Sequence, residues 1–416
     1  MISEHASPLA ALGGADAGGQ NVHVAALASA LARRGHEVTV FTRRDSARAP
    51  DAVPLAPGVT VRHVPAGPFR PLPKDDLLGY MPAFADWLAA RWREQPPDVA
   101  HAHFWMSGIA ALWATRRPVP VVETFHALGR VKRRWQAEAD TSPPERLGAE
   151  ATIVRRATAV IATCTDEVSE LAAYGARPET MYVVPCGVDG DRFRPGHDAG
   201  PDTDAGPDTD GGQDTDGGLV TGAGAARVLS LGRLVPRKGN DTVIAAIAAL
   251  PGAELTIAGG PDPGQLGDDP EVARLRGVAE ECGVADRVRF TGRVPHEDVP
   301  AMLKSADVVV SVPWYEPFGI VPVEAMACGK AVVVSAVGGH LDTVEDGVTG
   351  RLVPPRDPAA LTAVLAQLLA EPGLRRKLGT AGAARAAARY SWDTVAAETE
   401  AVYYACVRQE RKVGAR

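Results

Sequence analysis

The chain has 416 residues, 45% of them apolar, too long for one ordinary core and rich enough to fill two. Its formal charge of −7 is concentrated in a triplicated acidic run (Pro201-Asp-Thr-Asp-Ala-Gly, Pro207-Asp-Thr-Asp-Gly-Gly, Gln213-Asp-Thr-Asp-Gly-Gly), so the remainder carries about −1, which does not suggest a nucleic-acid partner. The chain has no uninterrupted apolar run of about eighteen residues and no charged segment leading into an apolar one, which argues against a membrane span and a secretory signal, and five cysteines without metal-like spacing fit a reducing, cytoplasmic setting.

In chain order, short β-branched runs alternate with helical patterns. The first half predicts strands at 36–42, 59–65, 99–104, 119–125, 159–163 and 181–185, with helices at 20–34, 76–95 and 144–156. A first strand would have to fit into the three residues before Glu4; either it is short or the true start lies upstream. The segment 196–226 is rich in Asp, Gly, Thr and Pro and predicts a disordered linker. Its Asp-x-Asp repeats lack the preceding strand that a catalytic metal motif needs, leaving at most weak cation binding by clustered carboxylates. The second half predicts strands at 228–231, 253–258, 288–291, 308–312 and 331–335, with helices at 240–250, 270–282 and 321–328. A last helix, 391–409, starts at a Ser391 N-cap and is expected to pack back across the domain junction. Strands alternating with helices imply α/β architecture: two doubly wound, Rossmann-like domains with parallel sheets facing a central cleft. The expected divisions are 1–195, a linker at 196–226, 227–390, and a terminal helix at 391–416.

Several turns at expected strand ends carry chemistry. Gly18 and Gly19 open the helix at 20–34, where glycines admit a close ligand and the helix start favours phosphate; glycine loops also make plain turns. His126 ends a strand at the edge where open α/β sheets hold ligands, and His101 and His103 end the preceding one. The His-x-His pattern suggests a metal, but the sequence spaces no third ligand near it, so no metal is expected. Arg233 and Lys238, five apart across a turn, can converge on a diphosphate leaving group and neutralise it without a metal; otherwise they are surface bases. Glu316 and Glu324 flank a helix start and can accept hydrogen bonds from vicinal hydroxyls in one cleft, or else serve as a cap and a surface residue.

Together these motifs resemble the retaining GT-B glycosyltransferases of family four, which include sucrose-phosphate-synthase-like and inositol-phosphate enzymes. The resemblance also takes in Pro185-Cys186-Gly187-Val188-Asp189 and the glycine turns at Gly338-Gly339 and Asp346–Gly350. It implies an enzyme, a hexosyltransferase, that uses a nucleotide-diphosphate sugar as co-substrate and no other cofactor. It implies an acceptor side before the linker and a donor side after it. On the donor side Arg233, Lys238 and Gly19 would hold the diphosphate, Glu324 the ribose, and Glu316, Phe318 and Gly319 the sugar. His126 would meet the transferred sugar. On the acceptor side Lys74 and Arg146 match phosphate-gripping positions, whereas Phe104 and Ala127 stand where the inositol-phosphate enzyme has a tyrosine and a threonine. Without the resemblance, Lys74 reads as solvated beside Asp75 and Asp76, and Arg146 as paired with Glu150. The partner would be a small sugar, sugar-phosphate or glycolipid acceptor, and the basic run Lys132-Arg133-Arg134 beside Trp135 offers a peripheral membrane contact. The alternatives are a sugar-nucleotide-binding scaffold, an epimerase or a phosphorylase.

Overall fold

The structure is a computed structural model and describes residues 1–10, 19–115, 119–136, 140–196 and 224–414. The acidic repeat, nearly all of the expected linker, and Gly18 lie outside these residues.

Two sheets organise the chain. The first contains β1 (Val38–Arg43), β2 (Ala52–Ala56), β3 (Val59–Val64), β4 (Ala100–His103), β5 (Val121–Thr124), β6 (Ala159–Ala162) and β7 (Met181–Val183). Its two parts, β2-β3-β1 and β4-β5-β6-β7, meet at Ile2, which bridges Phe41 of β1 and Ala102 of β4. Ile2 is fully buried, so the short N-terminal strand serves as the centre of the sheet. The second sheet runs β10-β9-β8-β11-β12-β13, from β8 (Ala226–Leu231), β9 (Ala253–Ala258), β10 (Val288–Gly292), β11 (Val308–Ser311), β12 (Ala331–Ser335) and β13 (Arg351–Val353). All its pairings are parallel.

Three sequence expectations need correction. The first sheet is not wholly parallel, because β2 pairs antiparallel with β3; Pro54 disguised this edge strand. The linker does not extend to 226, since Ala226 already pairs with Ala253. The helix expected from 76 opens as single 3-10 turns and becomes α-helical only at Met81, where Pro82 takes the start of the helix. Helices Trp105–Ala114, Thr165–Ala173, Pro358–Ala370 and Pro372–Arg389 were not anticipated; their mixed or alanine-rich patterns hide the buried stripe.

Apolar side chains fill both faces of the first sheet. Phe84, Leu88, Trp105 and Phe125 pack on one face. On the other, Val24, Leu27 and Leu31 pack with Val395, Ala396 and Val402. These last three belong to the terminal helix Trp392–Gly414, which returns from the second half to cover the first. Ser391 caps this helix by accepting from the Thr394 amide at 3.1 Å. Fully burying each large apolar side chain stabilises by about 1.5–3 kcal/mol, so the returning helix is held by its core face. Its exposed link Arg33–Asp393 adds little.

Candidate active site

Both sheets reverse strand order at one point: at Ile2 in the first, between β8 and β11 in the second. Loops leaving adjacent strands on opposite sides of such a point diverge and leave a crevice at the strands' carboxyl ends. Arg233, Lys238 and Glu316 stand on loops at the second of these crevices, and His103 and His126 at strand ends beside the first.

In the second sheet, the loop after β8 carries Arg233 and the 3-10 turn Pro236–Lys238, which ends at Gly239 with φ 71°. A Cβ at Gly239 would stand 2.2 Å from the Val312 carbonyl oxygen, so only glycine lets this turn close on β11. The loop after β11 carries Glu316. There the Lys238 ammonium donates to Glu316 Oε2 in a short ion pair. Burial alone would push the Glu316 carboxyl up, but Lys238, with Arg237 beside it, holds it down at about 2. Burial lowers the Lys238 ammonium, opposed by the same pair. Arg233 is exposed on the same loop, and its charge also acts on Lys238.

The Glu316 loop is pinned from behind. The Gly339 amide donates to the Glu316 carbonyl at 2.9 Å. A Cβ at Gly338 would lie 2.1 Å from that same carbonyl oxygen, and one at Gly339 would lie 2.4 Å from the Phe318 Cα. Phe318 is buried against Tyr390, with ring centroids 5.9 Å apart. Gly319, with φ 91°, leads into the helix Ile320–Ala327 and packs on the His340 ring.

Glu324 lies on that helix and is buried, 8% exposed, so it is not a surface residue. Burial pushes its carboxyl up to about 8, only partly opposed by Arg192. It faces a cavity of about 760 Å³ shared by the two halves, which is also lined by Asn21, Asp189, Arg192, His296 and Trp392. Gly19 begins helix Gly19–Arg33 across this junction, and a Cβ there would sit 3.1 Å from Ile320 Cδ1.

On the first sheet, His126 follows β5 with φ 59°, an uncommon backbone for a side-chain-bearing residue. Its Nε2 lies 3.0 Å from His103 Nδ1 at the end of β4. The His23 ring, from helix Gly19–Arg33, stands 4.9 Å from His126 and 5.6 Å from His103, centroid to centroid. Sequence spacing supplied no third partner for the His-x-His pattern; the fold supplies His23. A histidine one turn beyond the Gly-Gly pair was the signal that was available. His101 turns away, to the Tyr403 hydroxyl at 2.6 Å and Thr124 at 2.9 Å.

The expected acceptor residues are placed differently. Arg146 is buried, and its guanidinium is committed inward. Its Nε donates to Glu150 at 2.7 Å, its other nitrogens donate to Ser142 and the Ala127 carbonyl, and its plane covers Phe104 at 5.1 Å. Phe104 is itself buried, with φ 81°, beside His5. Lys74 opens a 3-10 turn tied to this region through Asp75, which accepts from Thr141. The basic run is also paired: Lys132 and Arg133 with Asp140, and Arg134 with Glu170. Trp135 is 37% exposed beside it. No helix among the described residues is long and apolar enough to cross a membrane.

Comparison with known proteins bears on the family and the fold. Residues 17–192 match the family described as "Glycosyltransferase Family 4", and residues 220–385 match "Glycosyl transferases group 1". The chain is 40% identical over 410 residues to the D-inositol 3-phosphate glycosyltransferase of Xylanimonas cellulosilytica, covering 97% of this chain and 95% of the relative. It is 38% identical over 429 residues to that of Streptomyces coelicolor, covering 99% and 92%. Among solved structures, the sucrose-phosphate synthase of Thermosynechococcus elongatus superposes with a TM-score of 0.84 at 33% identity, covering 97% of each chain. Anabaena HepE in complex with UDP and glucose superposes with a TM-score of 0.68 at 21% identity, covering 96% and 97%, a likeness of fold alone.

Proposed function

The chain belongs to the family-four GT-B glycosyltransferases and is a glycosyltransferase, and from that premise we propose that it moves a hexosyl unit, with retention, from a UDP- or GDP-linked sugar to a hydroxyl of a small sugar or sugar phosphate. The observation that carries this reading is the Lys238–Glu316 pair at the crevice between β8 and β11. A departing nucleoside diphosphate gains negative charge as the glycosidic bond breaks. Lys238, held ionised and in place by Glu316, and Arg233 on the same loop are fixed cations that meet that charge without a metal. The acceptor hydroxyl attacks the face the diphosphate leaves. The new carbon–oxygen bond forms as the old one breaks, and the departing phosphate oxygen takes the hydroxyl proton. Glu324, in the shared cavity, would accept from the ribose hydroxyls, and His126 would hydrogen-bond the transferred sugar.

A phosphorylated acceptor is supported by the names of the relatives, an inositol-phosphate enzyme and a sucrose-phosphate synthase. Inositol phosphate is the weaker choice, because Phe104 and Ala127 present no side-chain donors and Arg146 is committed to Glu150.

The test pairs UDP-glucose, UDP-N-acetylglucosamine and GDP-mannose with inositol 3-phosphate, fructose 6-phosphate and their unphosphorylated forms. Mass spectrometry would identify the product and NMR its anomeric configuration. A product of inverted configuration would overturn retention. Nucleotide binding without turnover on any acceptor would favour a scaffold.

A further inference from the structure

Three imidazoles from three separated segments meet on the first-sheet wall of the cleft: His23, His103 and His126. Each offers one ring nitrogen, and the three nitrogens lie within 4.8 Å of one another. His23 is 4% exposed and His103 fully buried, yet His23 Nδ1 and His103 Nε2 have no hydrogen-bond partner among the described residues. A buried nitrogen left without a partner is costly; His103 already meets His126 through its other nitrogen, Nδ1, so the orphan that an ion in this cluster would satisfy is the His23 nitrogen. The transfer reaction uses neither His23 nor His103. Burial drives all three imidazoles toward the neutral form, His23 to about 4. Neutral imidazole is the form that ligates metals.

The donor set also selects an ion. It holds no carboxylate, which disfavours magnesium and calcium and suits zinc, cobalt, nickel or copper. A tetrahedral zinc with Zn–N bonds of about 2.0–2.1 Å keeps its ligand nitrogens about 3.3 Å apart. His103 and His126 already stand at 3.0 Å, so closing the set needs only a ring adjustment of about 1.5 Å or less from the 4.8 Å limit.

We propose that His23, His103 and His126 form a trihistidine site for one divalent transition-metal ion of the zinc class, and that filling it inhibits transfer. The ion takes no part in leaving-group chemistry. It ligates His126 and so withdraws that ring from the sugar. The inhibitory half of the proposal rests on the role given to His126 above; the binding half does not.

The experiment titrates the metal-stripped full chain with Co²⁺ and follows its absorption bands, with Zn²⁺ stoichiometry from equilibrium dialysis. The expected result is one ion per chain with intense tetrahedral bands. His23→Phe keeps a ring against Trp392, whose centroid is 5.3 Å away, but removes both nitrogens. It should weaken binding at least tenfold at an unchanged melting temperature, and His103→Gln provides a second variant should His23→Phe misfold. No bound ion, or weak octahedral bands that both variants retain, as an aspartate-repeat site would give, overturns the proposal. In the activity arm, Zn²⁺ should stop transfer, a chelator should restore it, and His23→Phe should raise the half-inhibitory concentration about tenfold. Tight binding without inhibition upholds the site and overturns its inhibitory role together with the assignment of His126. If no acceptor is turned over, the Co²⁺ bands still decide the site.

Discussion

On the second-sheet wall of the cleft the polar groups are ionised: Lys238 holds Glu316 down at about 2, and glycines at 239, 338 and 339 press the two loops together. On the first-sheet wall they are neutral or spent: three imidazoles are held uncharged by burial, and Arg146 is saturated by Glu150, Ser142 and Ala127. Both sheets reverse strand order once and place their loops at the same kind of crevice. The difference teaches that the shared topology fixes where groups stand, while the side chains decide whether a wall handles charge or hydroxyls.

The contrast breaks most visibly at Arg146. Arg146→Met leaves the buried Glu150 carboxylate without its cation, with only the Gly129 amide and the Tyr174 hydroxyl still donating to it, and should destabilise the protein by about 3–5 kcal/mol in denaturant titration. If Arg146→Met instead melts normally and raises only the acceptor KM, the first wall does handle charge. Next in size, Lys238→Ala should lower kcat by roughly 10²–10³-fold, with Lys238→Arg recovering part of it. An unchanged kcat would remove the charged character assigned to the second wall.

Glu324 sharpens the comparison, since it is a neutral group on the charged side. Its folded carboxyl titrates near 8, above its unfolded value of about 4.5, so its stabilising contribution is full below 4.5 and is lost as pH rises through 8. The melting advantage of Glu324→Gln over the natural protein should therefore grow from pH 5 to pH 9. Ribose hydroxyls donate to the charged form, so nucleotide affinity should fall as pH drops below 8, by at most about tenfold per unit. A flat titration would mean that the carboxylate does not meet the nucleotide. The smallest effect is expected at the exposed Arg134–Glu170 pair, where Arg134→Ala should cost less than about 1 kcal/mol and leave kcat alone. Lost binding to anionic vesicles in that variant would revive a membrane role for the basic run.

Most of the fold was legible because strand and helix periods are local. The runs at 253–258 and 331–335 became β9 and β12 with the same bounds, and the helix at 321–328 differs by one residue at each end. The first strand was harder, because Ile2 earns its place only by pairing with Phe41 and Ala102, far along the chain. Pro54 hid β2 for a related reason: an edge strand tolerates proline, and edge position is not written locally.

By itself the sequence determined the alternation of strands and helices, and hence which loops end at the carboxyl edges where Lys238, Glu316 and His126 stand. Only the tertiary structure decided their partners. Lys238 meets Glu316 across 78 residues, His23 joins His103 and His126 from another segment, Arg146 turns inward, and Glu324 lies buried. The physical reason is that periodicity depends on neighbours in the chain, whereas charge state and pairing depend on burial and on what distant segments bring within about 3 Å.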